Sequence, residues 1–116
     1  MRHRRKGRLL HRKSGERASL IYSLMRSLVL HKAIVTTEAR GKELRPYLER
    51  LITKERRGTL PLHREVVATI GKDAAHKMKN EILPLVGERK GGYLRIVKMG
   101  RRKSDASRMV HVRFVE

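Results

Sequence analysis

The chain has no cysteine and no tryptophan. Its 116 residues include only four aromatic rings, Tyr22, Tyr47, Tyr93 and Phe114. Without Cys there is neither a disulfide framework nor a thiolate metal site, which fits a reducing compartment. No apolar run approaches the roughly 18 residues that span a bilayer. The basic start lacks a signal peptide's apolar centre, because Leu9 and Leu10 are followed at once by His11, Arg12 and Lys13. A cytoplasmic chain with no membrane partner is expected. Acidic residues are also scarce: eleven Asp and Glu stand against thirty Lys and Arg, for a net charge of +19. Such an excess repels itself in a compact domain, and a polyanion relieves the repulsion. Nucleic acid is therefore the first partner to consider, ahead of an anionic membrane surface.

The charge is unevenly spread. Residues 1–13, "MRHRRKGRLLHRK", hold seven basic residues and no acidic one. Residues 14–58 hold ten against five, residues 59–92 six against four, and residues 93–116 seven against two. The ends are strongly basic, whereas the middle resembles an ordinary domain surface.

Residues 1–13 show no sustained period, and their like charges favour extension. They are read as an extended basic arm, and residues 14–116 as one globular domain. Ser14 can cap a helix, with Glu16 in its first turn. Ala18, Ile21, Met25 and Leu28 then recur at spacings of three and four, which predicts a helix to about His31. The β-branched "KAIVTT" predicts a strand over 33–36. Thr37 can cap a second helix with Leu44, Leu48, Leu51 and Ile52 on one face. Pro46 inside it predicts a kink or a late restart, and Gly58 a stop. A third helix fits 62–70. Asp73 can cap a fourth, which Pro84 should close. "YLRIVKM" and "RMVHVRFVE" alternate as strands, the second with Val110, Val112 and Phe114 on one face and His111 and Arg113 on the other. The order α-β-α-α-α-β-β predicts a two-layer α/β (α+β) fold, a three-stranded mixed sheet covered by helices. Its last two strands form a hairpin with a basic tip.

Signs of catalysis or metal binding are lacking. No two of His3, His11, His31, His63, His76 and His111 are four residues apart, and no acidic pair is placed for proton transfer. "GERKGG" has neither the strand–loop–helix context nor the Lys-Ser/Thr of a phosphate loop. No catalytic residue, metal, cofactor or small-molecule substrate is assigned. What remains is binding. Arg suits phosphate because its planar fork makes two bonds, and Gly7 lets the arm's backbone pass close to a neighbour. The candidates are Arg2, His3, Arg4, Arg5, Lys6, Arg8, His11, Arg12 and Lys13 in the arm, with Arg17 at the root of the first helix. Arg101, Arg102 and Lys103 at the hairpin tip come next, then Arg40, Lys42 and Arg45 on the second helix. Arg95 and Tyr93 are added from the hairpin base, where Tyr93 could equally pack inward. So few rings argue against a base-stacking sheet and for phosphate and shape contacts.

Three blocks carry a resemblance. The opening resembles the start of the bacterial large-subunit ribosomal protein seventeen family, Met-Arg-His then Gly-Arg-x-Leu-Asn-Arg. Met1, Arg2, His3, Gly7, Arg8, Leu10 and Arg12 match, and His11 stands where Asn is usual. "SGER" replaces the common Ser-Ser-His-Arg. In "IVTTEARGKELRP", Ile34, Thr36, Thr37, Lys42, Glu43, Leu44 and Arg45 match. Gly41 replaces the common Ala, which should weaken the helix by about 1 kcal/mol. In "GGYLRI", Gly91, Gly92, Tyr93 and Arg95 match, and Leu94 replaces the usual Thr. The resemblance runs essentially end to end. It implies a structural component of the 50S subunit, in the cytoplasm. It further implies binding to 23S ribosomal RNA near the peptide exit, beside ribosomal proteins twenty-two and thirty-two.

Two other readings compete. A nucleoid-type DNA-binding protein would share the charge, but no helix here has a clearly basic and polar start. An enzyme acting on RNA with His3 or His11 as general base would need those residues held rigidly.

Overall fold

The structure, a computed structural model, describes residues 7–116. Helix α1 runs Ser14–His31 and buries Ile21, Met25, Leu28 and Val29. Ser14 is its first helical residue rather than its cap. The backbone of Lys13 occupies the cap position, and its N–H donates to Glu16 Oε2 at 3.4 Å. The chain turns at Lys32, in the left-handed region, into strand β1, Ala33–Thr37. Thr37 caps helix α2, Glu38–Arg57, its hydroxyl accepting from the Arg40 N–H. Gly58 ends α2 at φ 72°.

Helix α2 does not restart at Pro46; it runs unbroken through it. Proline in a helix interior costs about 3 kcal/mol. Against that, Leu44, Leu48, Leu51 and Ile52 are all at most 5 % exposed, and each such burial contributes about 1.5–3 kcal/mol. The apolar stripe outweighs the missing donor. Glu55, also buried on α2, is bonded by His63 Nδ1 at 2.8 Å, which satisfies the carboxylate and joins α2 to the next helix.

Helix α3, Leu60–Ile70, starts two residues before the apolar pattern suggests, because Pro61 is well placed in a first turn. A fourth helical stretch follows in three pieces: α4 at Lys72–Lys77, a π-helical turn at Met78–Ile82, and α5 at Leu83–Val86. Asp73 sits in its first turn rather than at its cap. Pro84 does not close it; Gly87 does, at φ 64°. The Leu83 N–H reaches back five residues to the Met78 carbonyl. This wider turn relieves the press of the Pro84 ring on the carbonyl four residues before it.

Strands β2, Leu94–Arg101, and β3, Arg108–Phe114, complete a sheet of order β1-β3-β2. Both pairings are antiparallel, so the sheet is not mixed as the sequence suggested. The connection from β1 to the hairpin crosses the helical layer and brings β3 back against β1 with reversed direction. The inner face carries Thr36, Leu94, Val110, Val112 and Phe114 against the helices. Leu94, at the position where Thr is usual, is 2 % exposed and simply adds to this core. The outer face leaves Val35, Arg95, Val97 and Arg113 exposed. The expected two-layer architecture and element order are thus observed.

Gly41 lies where α2 meets β3. A Cβ there would stand 2.8 Å from Val110 Cγ2 and 3.3 Å from Val112 Cγ2. The close approach explains the glycine better than helix propensity does. Gly41→Ala gains about 1 kcal/mol of helix propensity but overpacks the contact, at about 1–3 kcal/mol. Its urea midpoint should be unchanged or lower, by up to about 2 kcal/mol of stability. Gly15→Ala, with nothing within 4 Å of the added carbon, should instead stabilise by about 0.4–1 kcal/mol.

Arg26 fastens α1 to the start of α4. Its guanidinium donates to both Asp73 carboxylate oxygens at 2.6 Å and to the Ile70 carbonyl at 2.8 Å. The hydrogen bonds from Arg26 lower the Asp73 carboxyl to about 2, from an ordinary 3.8. A carboxyl lowered on folding binds its proton less tightly when folded than when unfolded. Its stabilisation is therefore present above about pH 4 and is lost as pH falls toward 2. Asp73→Asn should melt below the wild type at pH 7, and the gap should close in melts taken between pH 4 and 2.

Candidate nucleic-acid interface

The basic segments that are far apart in sequence meet at one end of the molecule. The chain enters at Gly7, whose φ is 92° and where a Cβ would stand 3.0 Å from Glu43 Oε1. Glu43, on α2, accepts from the Arg8 N–H at 3.3 Å and from Arg8 Nη1 at 3.4 Å. Next comes a tight turn closed by the Arg12 N–H on the Leu9 carbonyl at 3.0 Å. Its central residues, Leu10 and His11, both have positive φ, 52° and 54°. That is the geometry of a type I′ turn. It gives a reason for the pattern at position 11, because Asn and His are among the side chains that best tolerate the left-handed region. Leu10 is half-buried against the core cluster, and Arg17 Nη1 donates to the Arg12 carbonyl at 2.8 Å. His11, Arg12 and Lys13 stay exposed around this root. Leu10 thus ties the segment to the domain more firmly than its composition suggests.

The start of α2 lies beside this root. Arg8, Lys42 and Arg108 line one cleft of about 390 Å³ together with Thr37, Glu38 and Ser107. Lys42 Nζ is 2.7 Å from Glu38 Oε1. The Lys42 hydrogen bond, then the charges of Lys42, Lys98 and Arg108, hold the Glu38 carboxyl below its usual range. Arg108 and Lys98 were missed by sequence reasoning. Strand alternation could have found them. Leu94, Ile96 and Lys98 share a face, as do Arg108, Val110 and Val112. The inner face of the sheet is apolar along most of its length and cationic where it runs past the helices.

At the hairpin tip the expected trio separates. Arg102 is turned back on Asp105, with bonds of 3.1 and 2.7 Å. The Asp105 carboxyl, which also accepts from the Ser107 N–H at 3.1 Å, is held well below its usual range by these bonds. Arg102 thus shapes the tip. Arg101 and Lys103 are exposed and have no ion-pair partner among the described residues.

The remaining candidates lie apart from one another. Arg40 is half-buried in the first turn of α2, and Arg45 is paired with Glu49 at 3.2 Å further along it. Tyr93 is 1 % exposed and packs at the hairpin base. The Arg56 guanidinium lies 5.3 Å from its ring centroid and bonds the Gly87 and Arg89 carbonyls. Arg95 faces Arg113 across the strands at the opposite end of the sheet from the tip. Arg2, His3, Arg4, Arg5 and Lys6 lie outside the described residues. Among the described residues, no helix is long and apolar enough to cross a membrane.

Comparison with known proteins accords with the resemblance. Residues 20–115 match the family model described as Ribosomal protein L17. The large ribosomal subunit protein bL17 of Gemmatimonas aurantiaca is 45 % identical over 116 residues, spanning 99 % of this chain and 98 % of its own. That of Campylobacter lari is 43 % identical, spanning 99 % of each chain. That of Methylacidiphilum infernorum is 43 % identical over 117 residues, spanning all of this chain and 89 % of its own. A match over nearly the whole domain, together with relatives alike from end to end, shows that the chain belongs to the ribosomal protein L17 family.

Proposed function

We propose that the protein is a structural constituent of the large ribosomal subunit. In this reading it grips 23S ribosomal RNA with residues 1–13, the start of α2 and the end of the β2–β3 hairpin, and plays no catalytic part. Its relatives carry the name of the large subunit, and a ribosomal, cytoplasmic location follows from that. The observation that carries the RNA contact is the meeting of Arg8, Lys42 and Arg108 in one cleft; Arg12, Lys13, Arg101 and Lys103 are exposed besides. Cations from three segments converge there, at the positive end of a 20-residue helix. Such a surface suits a crevice where phosphates of several strands lie close together. Contacts of this kind position a protein on RNA through backbone and shape. The adjoining large-subunit proteins of the resemblance, twenty-two and thirty-two, would complete its surroundings.

In equilibrium binding, a 23S ribosomal RNA transcript should be held more tightly than duplex DNA of equal length. Equal or tighter binding to DNA would favour the nucleoid-type alternative and overturn this reading.

Salt dependence reports the number of phosphates engaged. Each contributes about 0.7–0.9 to the slope of log K against log salt. Deleting residues 1–6 removes four Lys and Arg residues, so the slope should fall by up to about 3–4 units. The melting temperature should hold, because Arg8, Leu10 and their contacts remain. An unchanged slope would remove this segment from the interface.

A further inference from the structure

Four rings serve the whole chain. Two are spent in the core: Tyr93 is 1 % exposed and Phe114 4 %. The other two, Tyr22 at 45 % and Tyr47 at 43 %, are exposed. They sit on different helices, yet both line the same cleft of about 190 Å³ between the arm root, α1 and α2. Leu10, Ala18 and Ile21 give that cleft an apolar side, and Arg8 and Arg17 give it charge.

Each element of this arrangement has a local cause. Tyr22 follows the buried Ile21, and Tyr47 precedes the buried Leu48, so each ring stands at the border of a helix's apolar stripe. The Arg50 guanidinium lies over the Tyr47 ring, 5.4 Å from its centroid, which steadies the ring. Arg17 spends Nη1 on the Arg12 carbonyl, and its other donors remain. Glu43, the acidic residue lining the cleft, is engaged by Arg8.

We propose that this cleft takes one unstacked nucleobase of RNA, with the Tyr22 and Tyr47 rings against the base and Arg17 and Arg8 toward the phosphate of the same nucleotide. Aromatic rings bind bases because every base presents a π-face, and a flanking cation holds the phosphate that comes with it. The proposal rests on the reading that the protein binds RNA, and it changes one part of that reading. The sheet offers no stacking platform, whereas the helical side offers a single place for a base, directly beside the arm root where the backbone would run.

The test compares two probes of matched length: single-stranded oligoadenylate and an abasic ribose-phosphate oligomer. The chain has no Trp and Tyr93 is buried, so changes in intrinsic tyrosine emission report on Tyr22 and Tyr47. The wild type should bind oligoadenylate roughly 5- to 150-fold more tightly than the abasic oligomer, with altered tyrosine emission. Tyr22→Leu and Tyr47→Leu keep apolar cover over the core and remove the ring. Each should lose most of that preference while binding the abasic oligomer as before. Tyr22→Phe, which keeps the ring, should keep the preference, and melts followed by circular dichroism should show all three variants folded. Equal affinity for the two probes in the wild type, or a preference that survives both leucine substitutions, overturns the proposal. If the abasic oligomer binds with steep salt dependence and no preference appears, the cleft alone is refuted. If neither oligomer binds, and the ribosomal RNA transcript does not bind either, the RNA reading falls with it.

Discussion

Helix α2 lies closest to the central strand at position 41, where no side chain stands between them. A Cβ there would stand 2.8 Å from Val110, well inside any contact a packed interior tolerates. From that approach the rest of the surface follows. It brings the start of α2 to the end of the sheet where the inner face changes from Val110 to Lys98 and Arg108. Glu38 then stands among Lys42, Lys98 and Arg108, which keep it ionised. One turn further along the helix, Glu43 is in place to hold Arg8. The arm root, the helix start and the hairpin are thus registered against one another by an apolar contact that carries no charge itself.

The acidic residues act within that frame as fasteners more than as sources of stability. Exposed ion pairs contribute only about 0–1 kcal/mol each, and Arg8, Arg26, Lys42 and Arg102 all have side chains more than 40 % exposed. Their geometry matters more than their energy. Glu43 fixes Arg8 against α2, and Asp105 folds the hairpin tip back on Arg102. The fold is held mainly by its apolar core, while the excess charge works against compactness. A polyanion bound at the cationic end relieves that repulsion, so binding and domain stability are coupled through electrostatics.

The apolar periods carried most of the architecture: α1, α2 and the alternation of β3 could be read residue by residue. What was not legible depended on contacts between distant residues. Pro46 and Pro84 have local breaking tendencies that the Leu48–Ile52 stripe and a π-helical turn override. Strand direction depends on how the helical layer returns the chain, which no single segment encodes. Among the candidate cations, the density of Lys and Arg points to residues 1–13 and the hairpin tip but does not tell which of them are engaged by acids. Arg102 and Arg101 are neighbours with the same chemistry, and only the turn around Asp105 separates their roles. Tyr93 was ambiguous for a related reason: a ring beside glycines can turn either way until the position of Arg56 and α5 is known.

A purely cationic surface leaves one problem unsolved. Phosphates repeat along every strand, so contacts to them orient a protein without giving it a register. Shape can supply register where RNA is folded, since a crevice admits the hairpin in few ways. The outer sheet face, with Val35, Val97, Arg95 and Arg113 exposed, has no Phe, Tyr or Trp to add base stacking to that. The helical side can, because its two exposed tyrosines stand beside the turn that anchors the arm. One base seated there would fix the strand against Arg8 and Arg17, and the arm would then follow the backbone from a defined nucleotide. The I′ turn at Leu10 and His11 matters for the same reason: it holds residues 9–12 in one conformation next to that seat.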